Sequence, residues 1–174
     1  MDSIEVKQPV ALVGLMGAGK TSIGKRLAKK LGRRFIDLDQ YIEKKQDCLV
    51  KDIFTHLGEN AFRAMERQAV SDLMDETDIV LATGGGAFIQ GDIRDILLEK
   101  YLVVWLKADV NVLAKRVGSG RSRPLLAECS PLVKLESLAK ERYPVYEQAH
   151  IIVRSDKGHF NDIIADIVGQ VEKS

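Results

Sequence analysis

The sequence predicts an α/β domain in three layers, with a five-stranded parallel sheet and helices on both of its faces. Three observations predict it. Short runs of β-branched and aliphatic residues recur along the chain and are apolar at successive positions, as strands covered on both faces must be. Amphipathic helical patterns alternate with these runs. The first run passes straight into a glycine-rich turn with a helical pattern behind it, which suits a right-handed strand–helix–strand crossover.

The first strand is PVALVG, Pro9 to Gly14, and the helix after it places Ile23, Leu27 and Leu31 on one face. RFID, Arg34 to Asp37, is the second strand. A long helical insertion, Leu49 to Met74, then breaks the alternation, with Phe62, Met65, Ala69 and Leu73 as its apolar stripe. DIVLAT, Asp78 to Thr83, and LVVWL, Leu102 to Leu106, are the third and fourth strands. Gly118 to Pro131 is rich in Gly, Arg, Ser and Pro and reads as a mobile loop. Leu135, Leu138 and Ala139 mark a further helix, and HIIVR, His150 to Arg154, is the fifth strand. Ile163, Ile164, Ile167, Val168 and Val171 form the stripe of a last helix. There is no internal repeat and no low-complexity linker, so residues 1–174 are expected to form one domain.

Composition excludes several classes. Lys plus Arg is 26 against 25 for Asp plus Glu, so the net charge of +1 offers no footprint for nucleic acid or an anionic membrane. The longest strong apolar run, YLVVWL, is far too short to span a bilayer. The opening MDSIEVKQ is polar and carries acids, unlike a secretory signal, so a cytoplasmic location is expected. Cys48 and Cys129 are too few and too far apart for a disulfide framework or a zinc site and read as free thiols. His56, His150 and His159 lack ligand spacing and read as satisfied or exposed side chains.

Chemistry enters at GLMGAGKT, Gly14 to Thr21, which matches G-x-x-x-x-G-K-[ST] between a strand and a helix. The backbone of Gly14, Gly17, Ala18, Gly19 and Ser22 can curl its N–H groups around a triphosphate, aided by the helix N-terminus. Lys20 would reach the β- and γ-phosphates, and the Thr21 hydroxyl would hold Mg²⁺. The bland reading is a glycine-rich turn with an exposed lysine. Among nucleotide binders, a GTPase should show a base-reading N-K-x-D, which this chain lacks, and a motor needs a longer chain. A small kinase remains, and its acceptor site must come from the rest of the sequence.

Three stretches offer one. In FIDLD, Asp37 and Asp39 would point the same way along a strand, into the crevice at its carboxyl end. The bland reading is that Asp39 caps a helix beginning near Gln40. In GENAFRAMERQ, Arg63 and Glu66 can pair on one helical face, which taken alone is more often a solvated salt bridge. In ATGGGAF, Gly84, Gly85 and Gly86 remove every Cβ from a turn, so that a ligand can touch backbone. A tight turn alone rarely needs such a run.

With these residues in place, the chain resembles the shikimate kinases, small P-loop enzymes of the nucleoside monophosphate kinase fold. The resemblance rests on GLMGAGKT, FIDLD, GENAFRAMERQ, ATGGGAF, RSRPLL and ERYPVYEQA, in the family's order and spacing, and covers nearly the whole chain. It implies transfer of the γ-phosphate of ATP, with Mg²⁺, to the 3-hydroxyl of shikimate, in the route to aromatic amino acids. It implies that Asp39 accepts from the shikimate hydroxyls as the proposed base and that Asp37 supports Mg²⁺. Arg63 and Arg142 match the arginines that clamp the shikimate carboxylate, with Glu66 orienting Arg63 and Gly84 to Gly86 as the wall beside the ring. Arg123 matches a lid arginine that reaches the phosphates, and Arg116 one that stacks on adenine. The implied layout has a substrate-binding insertion at about 39–74 and a lid at about 117–131, in a chain expected to work as a monomer.

The departures are small. The P-loop ends KTS where many members have KST, and RSDKGHF lacks the late proline that often walls the adenine. The rival readings are a related small-molecule kinase of the gluconate kinase type and a catalytically silent nucleotide-binding module.

Overall fold

A computed structural model describes residues 8–118 and 130–174. Its strands are β1 (Val10–Val13), β2 (Arg34–Asp37), β3 (Ile79–Ala82), β4 (Leu102–Lys107) and β5 (Ile151–Arg154), all parallel in the order β2-β3-β1-β4-β5. Side chains alternate faces along a strand. Every residue of β1 and β3 is nevertheless buried, so both faces of the central sheet are covered. The edges differ from the expectation of strands apolar on both faces. β5 alternates buried Ile151 and Val153 with exposed Ile152 and Arg154, and β2 is only partly buried. An edge strand has a neighbour on one side only, so less of it can be covered.

The helices are α1 (Lys20–Leu31), α2 (Leu38–Gln46), α3 (Val50–Leu73), α4 (Gly91–Lys100), α5 (Val110–Val117), α6 (Pro131–Tyr146) and α7 (Phe160–Val171). Each expected stripe faces the core, most fully in α7, where Ile163, Ile164, Ile167, Val168 and Val171 are all buried. The short α4 and α5, which bury only Ile93 with Leu97 and only Leu113, escape a search for long stripes. Within α3, Gly58 leaves helical geometry at φ 83°, a left-handed value open to glycine, and kinks the helix. Of the two cysteines, Cys48 is free and half-buried, and Cys129 lies outside the described residues. His150 is satisfied, its Nδ1 accepting from the Val103 N–H at 3.0 Å. Among the described residues no helix is long and apolar enough to cross a membrane.

This topology decides where a ligand can sit. The P-loop follows β1, Asp37 ends β2, the triple glycine follows β3, and Ser155 follows β5. Parallel strands bring all these segments to one edge of the sheet, the carboxyl edge, where open α/β sheets bind ligands.

Candidate active site

A cleft of about 970 Å³ runs along that edge. Its floor is the P-loop, where Gly17 and Gly19 hold φ of 83° and 95°. These left-handed values let the loop curl and hand over to α1 at Lys20. The Lys20 ammonium donates to the carbonyls of Gly14 at 2.6 Å and Leu15 at 3.0 Å, folded back across the loop it serves.

The two aspartates divide differently from the expectation of a shared strand face. β2 stops at Asp37, which is the N-cap of α2 and accepts from the Gln40 N–H at 3.2 Å. Asp39 is already inside the first turn of that helix. The cap is therefore Asp37, and Asp39 reaches the cleft from a helix. The physical reason is that FIDLD stops pairing with β3 at Asp37, opposite Ala82, and a capping carboxylate there starts the helix at once. Both residues still line the cleft. The second oxygen of Asp37 accepts from the Thr21 hydroxyl at 2.8 Å. Asp39 has one buried oxygen, Oδ1, without a hydrogen-bond partner among the described residues. Burial, and then the nearby charge of Asp37, push its pKa up to about 6 against the pull of Lys20.

The triple glycine takes its meaning from these neighbours. None of Gly84, Gly85 and Gly86 has a positive φ, so backbone conformation does not demand them. Space does. A Cβ on Gly84 would stand 3.0 Å from a Glu66 oxygen and 3.1 Å from Asp39 Oδ1. One on Gly85 would meet the Arg142 guanidinium at 3.4 Å, and one on Gly86 would strike the Arg63 guanidinium at 2.5 Å. Each missing side chain makes room for a charged group. Arg63 donates to Glu66 at 2.6 Å and to Glu59 at 3.1 Å. Burial works against its charge, but these carboxylates outweigh it and raise its pKa. Glu66 is fully buried, and burial raises its pKa in turn. Arg142 is 7% exposed, and its Nε is buried without a hydrogen-bond partner among the described residues. Tyr146, one turn further along α6, donates its hydroxyl to the Gly85 carbonyl and so fixes α6 against this turn.

At the opposite end, Arg116 donates to the carbonyls of Gly17 at 3.2 Å and Ser155 at 2.8 Å. It ties α5 to the P-loop and to the segment after β5. Phe160 lines the cleft here, 43% exposed, with the Arg26 guanidinium 4.3 Å from its ring centre. Nothing in the sequence singled out Phe160, since an aromatic opening an apolar helix reads as core. Phe54 and Phe62 of α3 also line the cleft; Phe62 stood in the expected apolar stripe as core, and nothing in the sequence singled out Phe54. Arg123 lies outside the described residues, as does most of the expected lid. Gly14, a cradle residue in the sequence reading, does not line the cleft, whereas Gly17, Ala18, Gly19, Lys20, Thr21 and Ser22 do. At φ 146° and with a Cβ position 2.8 Å from the Leu106 carbonyl, Gly14 instead lets the chain leave β1 close to β4.

A P-loop at the carboxyl edge of a parallel sheet, opening into a cleft with a buried carboxylate and arginines, defines a small P-loop kinase. The profile of the shikimate kinase family matches residues 16–172. A shikimate kinase from Caulobacter vibrioides is 47% identical over 84% of this chain and 73% of its own. The solved shikimate kinase from Acinetobacter baumannii, in complex with shikimate, superposes with a TM-score of 0.93 at 37% identity, covering 98% of this chain and 96% of that one. This chain belongs to the shikimate kinase family. A gluconokinase from Sinorhizobium meliloti, 18% identical with a TM-score of 0.61 over 97% and 93% of the two chains, shares the fold alone.

Proposed function

We propose that the cleft transfers the γ-phosphate of ATP to the 3-hydroxyl of shikimate, with the nucleotide along the P-loop and the acceptor between α2, α3 and the triple glycine. The observation that carries this reading is the convergence of Asp39, Arg63 and Arg142 on Gly84 to Gly86, each glycine leaving room for one of these groups or its partner. A ring bearing hydroxyls and one carboxylate matches that set. The carboxylate suits the two guanidiniums and a hydroxyl suits the Asp39 oxygen.

Phosphoryl transfer asks for alignment and charge neutralisation more than for covalent help. Lys20 supplies positive charge at the P-loop, and Arg123 is assigned to the lid that reaches the phosphates. Asp39 accepts a hydrogen bond from the attacking hydroxyl and aims it. Thr21 and Asp37 fit a divalent ion, because their hard oxygens already sit 2.8 Å apart beside the phosphate cradle. Thr21 and Asp37 would hold Mg²⁺ there, and the ion would supply positive charge to offset that of the phosphates. The insertion at about 39–74 acts as the substrate-binding region and residues 117–131 as the lid, in a cytoplasmic monomer. A coupled assay of ADP release with shikimate, with gluconate and with no acceptor tests the reading. Turnover that depends on shikimate supports it. Gluconate-dependent turnover would establish the rival kinase, and no acceptor-dependent turnover would establish a silent module.

Two further outcomes follow from this layout. Arg63→Lys and Arg142→Lys should each weaken shikimate about 10- to 150-fold and leave ATP nearly unchanged, because the charge stays and the fork is lost, at about 1.5–3 kcal/mol. Isothermal titration with each ligand checks this, and equal weakening of both would remove the carboxylate clamp. At the other end, the base is assigned to the space between Arg116 and the Phe160 ring. Stacking a base on an aromatic ring is worth about 1–3 kcal/mol. Phe160→Ala should therefore raise KM for ATP by at least about 5-fold with KM for shikimate unchanged. Steady-state kinetics with each substrate varied decides it.

A further inference from the structure

Gln90 stands at the N-cap of α4, across from the middle of α3, and none of the roles above uses it. Its side chain touches the buried carboxylate behind the arginine clamp. Glu66 Oε2 accepts from Arg63 at 2.6 Å and from the Gln90 amide nitrogen at 2.8 Å. The Gln90 amide oxygen in turn accepts from Arg67 at 2.9 Å. That contact fixes which way the amide faces. An arginine only donates, so the oxygen must face Arg67 and the NH₂ must face Glu66. Arg67 is itself held by Asp92, at 3.4 Å, on the first turn of α4. A continuous chain, Asp92–Arg67–Gln90–Glu66–Arg63, thus links α4 to the clamp.

We propose that Gln90 is a positioning residue for the acceptor site, bracing Glu66 so that Arg63 is held at a fixed angle beside Gly86. The inference rests on the reading of Arg63 as a carboxylate clamp. Glu66 is fully buried, and its other oxygen, Oε1, has no hydrogen-bond partner among the described residues. Oε2 therefore carries all the contacts that orient the carboxylate. With Arg63 alone on that oxygen, the carboxylate could turn about its own axis and carry the guanidinium with it. Two donors from different helices, α3 and α4, stop the turn. Gln90 is neutral, so it braces Glu66 without competing as a cation for the substrate's carboxylate. Arg67, which is a cation, is kept one link away.

The test is a double-mutant cycle in the full-length enzyme, combining Gln90→Leu with Arg63→Lys. Gln90→Leu alone should raise KM for shikimate about 10-fold, the worth of one hydrogen bond to a charged group at the lower end of its range. KM for ATP and kcat should move by less than about twofold. In the Arg63→Lys background the same change should add almost nothing, because the guanidinium it braces is gone. A merely structural role would lower the melting temperature and move both KM values together. Arg67→Met, a substitution at a half-exposed position, is the second variant and should show the same split more weakly. Additive effects in the cycle, a parallel rise of both KM values, or no effect of either variant would overturn the brace. If Arg63→Lys itself leaves shikimate untouched, the clamp reading falls and the brace falls with it. If Arg63→Lys weakens shikimate and Gln90→Leu does not, the brace alone falls.

Discussion

Lys20→Ala is expected to remove two to three decades of kcat while the protein stays folded. The ammonium stands at the start of α1, held by the carbonyls of Gly14 and Leu15. In the proposed cleft it meets charge that spreads over the transferred phosphoryl group as the bond to ADP loosens. Losing one preorganised charged group of this kind costs about 3–4 kcal/mol of transition-state stabilisation. The fold should survive, because Lys20 takes no part in the hydrophobic core, where the α1 contacts come from Ile23, Leu27 and Ala28. Initial rates at saturating substrates and a melting curve, taken on the same preparation, check this. A folded mutant with most of its activity would take Lys20 out of the mechanism.

The sequence carried the cradle and the order of elements well, for an identifiable reason. GLMGAGKT needs its glycines for local geometry, so the requirement is written in consecutive residues. The interior strands β1, β3 and β4 were legible because burial on both faces leaves an unbroken apolar run. What was hidden depends on partners distant in sequence. The triple glycine is visible as a motif, but its purpose is the room it gives to Asp39, Glu66, Arg142 and Arg63, from other elements. Phe160 and Gln90 carry no local mark, because a phenylalanine or glutamine at a helix start is ordinary. Their importance comes from Arg26 on α1 and from Glu66 on α3. The helix boundary at Asp37 was the instructive error. Period-two alternation would carry Asp37 and Asp39 to one face only in a continuous strand, but a carboxylate able to cap a helix ended the strand before Asp39.

That boundary underlies the second large effect expected, a mutant that is nearly inactive and yet more stable. Asp39→Asn keeps the shape of the side chain but cannot hold a negative charge against the attacking hydroxyl. Removing a positioned general base costs about two to four decades of rate. ATP affinity should hardly change, since the proposed function sets this carboxylate at the acceptor and not at the nucleotide. Stability should move the other way. In the ligand-free, metal-free protein, burial and the charge of Asp37 raise the Asp39 pKa from 3.8 to about 6. A carboxyl whose pKa is raised on folding binds its proton more tightly in the native state. Stability is then lost as pH rises from the unfolded pKa through the folded one. Above about pH 7 the native protein therefore carries a buried, ionised Asp39 at a cost on the order of 3 kcal/mol, counting about 1.4 kcal/mol per pKa unit. Asparagine removes that cost. Thermal melts in EDTA at pH 8 should show Asp39→Asn melting higher than the wild type, and at pH 4, where Asp39 is protonated in the native state, the gap should close. The kinetic and thermal results together separate function from folding. A mutant that is inactive because it is damaged would melt lower at both pH values, and that outcome would sink the assignment of Asp39 as a carboxylate kept at the acceptor's expense in stability.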